Sequence, residues 1–93
     1  MKIDVQHNQE KSRYELLVNG SLTGIADYRA DGDTLVFPHT EIEPRMQGQG
    51  LGEKLVRSAL DDVRRRNAKV VPLCWFVREF IDDNPEYADL KAS

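Results

Sequence analysis

A chain of 93 residues, with 40% hydrophobic and 31% charged side chains, fits one globular domain over residues 1–93 and leaves no room for a second lobe. A net charge of −3 and a pI near 5.3 argue against a nucleic-acid binder, which needs a basic balance. No apolar run approaches the roughly 20 residues that span a bilayer, the start MKIDVQHNQE has no apolar leader, and the single Cys74 excludes an intrachain disulfide; a cytoplasmic protein with no membrane partner is the expectation.

Ile3 to Asn8 alternates weakly and reads as a first strand. Gln9 to Ser12 is a polar turn, and Arg13 to Val18 a second strand. Asn19-Gly20 is the favoured type I′ pair, whose twist matches a hairpin. Ser21 to Arg29 pairs back, with Leu22, Ala26 and Tyr28 alternating against Thr23, Ile25 and Asp27. Asp31-Gly32 marks another turn, and Thr34 to Glu43 a fourth strand. Pro38 lies inside that strand and cannot donate to a ladder, so a bulge or a locally unpaired stretch is expected there.

The period then changes. Leu51, Leu55, Val56, Ala59, Leu60 and Val63 share one helical face. Glu53 and Arg57, Asp61 and Arg65, and Asp62 and Arg66 have the i,i+4 spacing of helix-supporting pairs on the outer face. Arg64-Arg65-Arg66 suits the C-terminal end of the dipole, as a solvated helix end or a polyanion contact, and Asn67 can cap. Lys69 to Cys74 reads as a short strand and Trp75 to Asp83 as a second helix, with Phe76, Val77, Phe80 and Ile81 inward. Asn84-Pro85 opens a short third helix. A strand–helix–strand crossover is right-handed, which sets the fifth strand parallel to the fourth. The fold class is therefore α/β of the α+β kind: a four-strand antiparallel meander, a helical crossover to a parallel fifth strand, and C-terminal helices.

Three glycines, Gly48, Gly50 and Gly52, open the first helix in QGQGLGEKLV. The first turn of a helix leaves backbone N–H groups without partners, and the dipole adds positive charge, so an anion is favoured there. A P-loop requires Gly-Lys-Ser/Thr, which is absent. A dinucleotide fingerprint has G-x-G-x-x-G early in a βαβ unit, whereas this loop reads G-x-G-x-G after four antiparallel strands. A tight strand-to-helix turn without a ligand is the plain alternative.

The spacing Gln47-x-x-Gly50-x-Gly52 resembles the coenzyme A pyrophosphate loop of the GNAT N-acetyltransferases. The stretches HTEIEP (His39 to Pro44) and PLCWFVREFIDDNPEY (Pro72 to Tyr87) are similar to the short, single-domain members of that superfamily. The resemblance covers nearly the whole chain. It implies that the fourth and fifth strands splay and that acetyl-CoA lies between them. Gln47, Gly48, Gln49, Gly50, Leu51 and Gly52 would hold the pyrophosphate, and Arg45 would meet a coenzyme A phosphate or stay solvated. The thioester would point between Glu41–Ile42 and Leu73–Cys74. Longer members have two helices after the first strand that help hold the acceptor. Here only the Gln9–Ser12 turn follows, which leaves the acceptor site open or supplied by a partner.

Acetyl transfer needs a neutral amine. For a lysine with a pKa of about 10.4 that form costs about 4.6 kcal/mol at pH 7, and for an α-amino group near 8 only about 1.4 kcal/mol. His39 and Glu41 lie two apart on one strand, share a face, and are candidate bases; a polar sheet face or a hydrogen-bonded structural pair is the plain reading. Cys74, between a strand end and a helix start, is a candidate nucleophile or a small hydrophobe lining the channel. Tyr28 or Tyr87 can protonate a leaving thiolate in principle. Trp75 and Phe76 read as core, and His7 as an ordinary strand residue. The expected activity is acetyl-CoA-dependent N-acetylation of an unidentified amine, on a small molecule or a protein. The alternative is a coenzyme A binding module with little catalysis. A monomer or weak homodimer is expected.

Overall fold

A computed structural model describes residues 1–92. The strands are β1 (Ile3–Asn8), β2 (Arg13–Val18), β3 (Ser21–Asp31), β4 (Thr34–Ile42) and β5 (Lys69–Pro72), and they form one sheet in the order β1-β2-β3-β4-β5. The first four run antiparallel and β5 lies parallel to β4, with Thr34 opposite Lys69 and Phe37 opposite Pro72. Asn19 and Gly20 take φ of 51° and 85°, both positive as a type I′ turn requires.

Two irregularities redirect side chains. Leu16 pairs with Gly24 but Leu17 with Leu22, so Thr23 is an extra residue. The slip turns Leu22 outward, 49% exposed, and Thr23 inward, 7% exposed, the reverse of the expected alternation. Between the pairs Asp27–His39 and Arg29–Val36, Phe37 and Pro38 oppose Tyr28 alone. Of the two expected ways to accommodate Pro38, the structure takes the bulge.

Helices α1 (Leu51–Arg65) and α2 (Trp75–Asp83) and the 3₁₀ segment Pro85–Leu90 all pack together on one side of the sheet. The expected apolar stripe of α1, Leu51, Leu55, Val56, Ala59, Leu60 and Val63, is buried against Tyr14, Leu16, Ala26, Phe37 and Val70 of the strands. By strand alternation Arg13, Glu15, Leu17, Ile25 and Asp27 face the other way, where no helix among the described residues covers the sheet. No helix of the described residues is long and apolar enough to cross a membrane.

β5 ends at Pro72, two residues before the expected boundary. Leu73 N–H turns back to Val71 O (3.1 Å) and Cys74 N–H reaches Phe37 O (2.8 Å), so Cys74 becomes the residue that caps α2. Asn84 precedes Pro85 without a side-chain cap; its amide donates instead to Phe80 O at 2.8 Å. Asn67 ends α1 in the left-handed region, φ 56°.

Candidate active site

Beyond the Phe37–Pro72 pair, β4 continues while β5 stops, and a cleft of about 730 Å³ opens between them. Glu43 N–H donates to Thr23 O (2.8 Å). In the alternation of an antiparallel ladder this turns the backbone groups of Thr40 and Ile42 away from β3, toward the side that β5 has left. That stretch of β4 therefore presents a free edge to the cleft. Gln47 Nε2 donates to Ile42 O there, at 3.1 Å.

The glycine loop forms one end of the cleft, through Gln47, Gly48, Gly50, Leu51 and Gly52. Gly48 and Gly50 have φ of 82° and 74°, which disfavours a side chain. Gly52 has a separate reason: a Cβ on it would lie 2.8 Å from Phe76 Cζ. Gly50 precedes α1 with no side-chain cap, and the first helical bond runs from Lys54 N–H to Gly50 O (3.2 Å). The amides ahead of Lys54 thus face the cleft end without helical partners. Gln49 does not line the cleft; its side chain lies 4.0 Å from Met46 Sδ. Arg45 is also outside the lining. Its guanidinium pairs with Glu43 at 2.6 Å on the surface.

Toward the other end lie His39, Thr40, Leu73 and Cys74. The structure divides the expected catalytic residues between the two sides of the sheet. His39 pairs across with Asp27 and Glu41 with Ile25, so both side chains project from the uncovered face. His39 Nε2 donates to Glu41 Oε2 at 3.0 Å, with the side chains 55% and 64% exposed. Thr40 pairs with Ala26 and so faces the helices. There Cys74, 8% exposed, donates its thiol to Thr40 Oγ1 at 3.6 Å. His39 thus borders the cleft from one side, with Glu41 beside it but outside the lining, and Thr40 and Cys74 border it from the other.

Tyr28 and Tyr87 are elsewhere. Tyr28 OH meets His7 Nε2 at 2.6 Å, and Tyr87 OH donates to Asp61 at 2.7 Å while accepting from Arg57. Burial pushes both phenols up, and for Tyr87 the bond to Asp61 adds to this. His7 is no ordinary strand residue: it stacks on Tyr14 with ring centres 4.4 Å apart and accepts from Arg66 at Nδ1. Trp75 is not core. It is 64% exposed and lines the cleft beside half-buried Phe76, edge-on at 5.7 Å. The spacing of the sequence passed over Thr40 and Trp75. Thr40 was within reach of strand alternation, since a residue between two on one face must point to the other.

A family model described as GCN5-related N-acetyl-transferase matches residues 13–90. Protein NATD1 of Mus musculus is 27% identical over 85 residues, covering 89% of this chain and 77% of that protein. The Homo sapiens protein of the same name is also 27% identical, over 89% of this chain and 75% of its own length. Among solved structures, a GCN5-like protein from Staphylococcus aureus superposes with a TM-score of 0.73 at 20% identity, covering 97% of this chain and 88% of that one. The ribosomal-protein-S18-alanine N-acetyltransferase of Escherichia coli gives a TM-score of 0.59 at 24% identity, over 62% of this chain and 38% of the other. The mixed five-stranded sheet of this chain matches the fold of the Staphylococcus aureus protein, and the family match over residues 13–90 shows that the chain belongs to the GCN5-related N-acetyltransferase family.

Proposed function

We propose that this protein transfers the acetyl group of acetyl-CoA to an amine. The observation that carries the reading is the cleft itself: uncapped glycine-loop amides at one end, a free edge of β4 along its side, and Thr40 with Cys74 at the far end. An anionic pyrophosphate suits the amides, and an extended amide-bearing arm suits the free strand edge. Acetyl-CoA supplies an activated thioester. The new C–N bond forms as the C–S bond breaks, and the thiolate that leaves takes up a proton. The acceptor must lose one, and the His39–Glu41 pair on the uncovered face can receive it. An N-acetylglutamate synthase of Neisseria gonorrhoeae, similar at a TM-score of 0.56 and 21% identity over 73% of this chain and 18% of its own, was solved with coenzyme A. That neighbour supports the choice of cofactor.

Thermal unfolding with acetyl-CoA, coenzyme A, ATP and NAD in parallel tests the reading. A ligand at 100 times its dissociation constant adds about 2.7 kcal/mol, on the order of 10–20 °C for a domain this small. The two coenzyme A species should raise the midpoint and the other two should not; no shift with either would return the glycines to a tight turn. A second reading, a coenzyme A binding module, is favoured by the separation of His39 and Glu41 from Cys74 across the sheet. Turnover of model amines by the His39→Ala and Glu41→Gln chains decides between them, since loss of a measurable rate excludes the module.

A further inference from the structure

Thr40 is half-buried on the covered face of β4, in a row with Ala26. A strand at this position accepts valine equally well, because both residues are β-branched and nearly isosteric. The hydroxyl therefore needs a reason, since a polar group taken from water without a partner costs stability. Among the described residues, the one hydrogen bond of this side chain is with the Cys74 thiol, 3.6 Å away. The contact spans the cleft at the point where β4 and β5 separate: Thr40 lies three residues past Phe37, the last residue of β4 to pair with β5. Cys74 is held from its own side by the backbone bond to Phe37 O, at 2.8 Å, and by its place ahead of α2. The sulfur is thus fixed through its backbone by one residue of β4 and through its side chain by another.

We propose that Thr40 is the positioning residue of the Cys74 thiol. Its hydroxyl accepts from S–H and turns to donate once the sulfur has lost its proton, keeping Sγ aimed into the cleft. A hydroxyl can do both because it carries a donor and two acceptor sites on a rotor. Valine can do neither. The importance of the pair to the reaction rests on the reading of the cleft as the acetyl-transfer site; the pair itself does not.

Alkylation by iodoacetamide tests it without any cofactor. Cys74 is the single cysteine, so mass spectrometry counts one event per chain. Sulfur displaces iodide, and the thiol proton leaves to solvent. The full chain and its Thr40→Val and Thr40→Ser variants are compared at pH 7, with thermal midpoints recorded alongside. Thr40→Val should react about tenfold more slowly, the loss of one hydrogen bond to a charged sulfur, and Thr40→Ser should stay within about twofold of the parent. If Thr40→Val does not fold, Thr40→Ala takes its place against Thr40→Ser. An unchanged rate without the hydroxyl overturns the proposal. So does an equal loss in Thr40→Ser, which would assign the effect to packing. Protection of Cys74 by acetyl-CoA, measured separately, bears on occupancy of the cleft: its absence counts against the cofactor reading and leaves the comparison of Thr40 variants standing.

Discussion

Single atoms decide how the glycine loop tolerates change. At Gly50 there is room for a Cβ, with Glu53 Oε2 nearest at 3.9 Å, but φ is 74°. Gly50→Ala should therefore lose about 1–2 kcal/mol to backbone strain alone. At Gly52 the backbone is helical and the objection is steric, the 2.8 Å approach to Phe76 Cζ. Alanine gains about 0.8–1 kcal/mol of helix propensity, while overpacking costs about 1–3 kcal/mol where nothing yields. Phe76 borders the open cleft, so its ring can yield. Gly52→Ala should stay within about 1 kcal/mol of the parent in stability yet weaken coenzyme A binding about tenfold, because the ring moves into the cleft. Urea unfolding and ligand titration of both variants separate the two kinds of glycine; a Gly52→Ala chain that binds normally would mean Phe76 leaves the cleft unobstructed. The single tryptophan offers a direct report. Trp75 is 64% exposed on the cleft wall, so saturating coenzyme A should shift its emission to shorter wavelength. Unshifted emission alongside a raised midpoint would place the ligand away from Trp75.

At the scale of elements, tertiary partners override the pairs that helical spacing suggests. Asp62 does meet Arg66 at 2.8 Å. Arg57, however, is drawn from Glu53 to Asn84, Glu86 and the Tyr87 hydroxyl, and Asp61 from Arg65 to Tyr87. Arg64 turns to both oxygens of Asp89 and to Glu86 O, so only part of the arginine triplet is a plain solvated end. These bonds tie α1 to Pro85–Leu90, and Tyr87 is their buried anchor, 4% exposed. Tyr87→Phe keeps the ring and removes the hydroxyl, and should cost about 1 kcal/mol in chemical unfolding; a neutral result would mean that Arg57 and Asp61 re-pair with each other. The elements themselves were legible from period and turn signals together: β1, β2 and α2 fall where alternation, weak in β1, and the flanking turns put them. The one-residue slip at Thr23 was not, since a bulge leaves no period to read. Legibility of the site divides in the same way. Gln47, Gly50 and Gly52 form a local signal along the chain, whereas Thr40 meeting Cys74 depends on where two strands separate, which no local spacing encodes.

The whole molecule is closed at the end remote from the cleft by a polar cluster whose titration sets how stability depends on pH. Tyr14 OH donates to Asp62 at 2.6 Å, and Arg66 Nη2 donates to His7 Nδ1 at 2.8 Å. With Nδ1 accepting, the neutral ring carries its proton on Nε2 and donates to Tyr28 OH. Protonation would force Nδ1 to give up the Arg66 bond and set two cations together. Burial and then the Arg66 charge push His7 below its ordinary value, against the opposing pull of Asp62. Above a pH of about 6.5 the ring is neutral in the folded and unfolded chain alike and contributes no pH dependence. As pH falls below that value the unfolded chain binds a proton that the folded chain refuses, so stability falls. Asp62 acts lower. Burial opposes its ionisation, but hydrogen bonds from Tyr14 and Arg65 and the charge of Arg66 hold its carboxyl below the usual range, so its contribution persists until pH falls through that depressed value. At the alkaline end the buried phenols of Tyr14 and Tyr28 are pushed up, so above a pH of about 10 the unfolded chain loses protons that the folded chain keeps, and stability falls again. The expected profile is a plateau flanked by an early acid slope that belongs to His7. Thermal midpoints of the parent and of His7→Gln at pH 7, 6 and 5 test this. The variant should be less stable at pH 7, having lost the stack on Tyr14, yet fall less steeply toward pH 5. Parallel slopes would assign the early acid loss to another group and leave the cluster with only its carboxylate and phenol titrations.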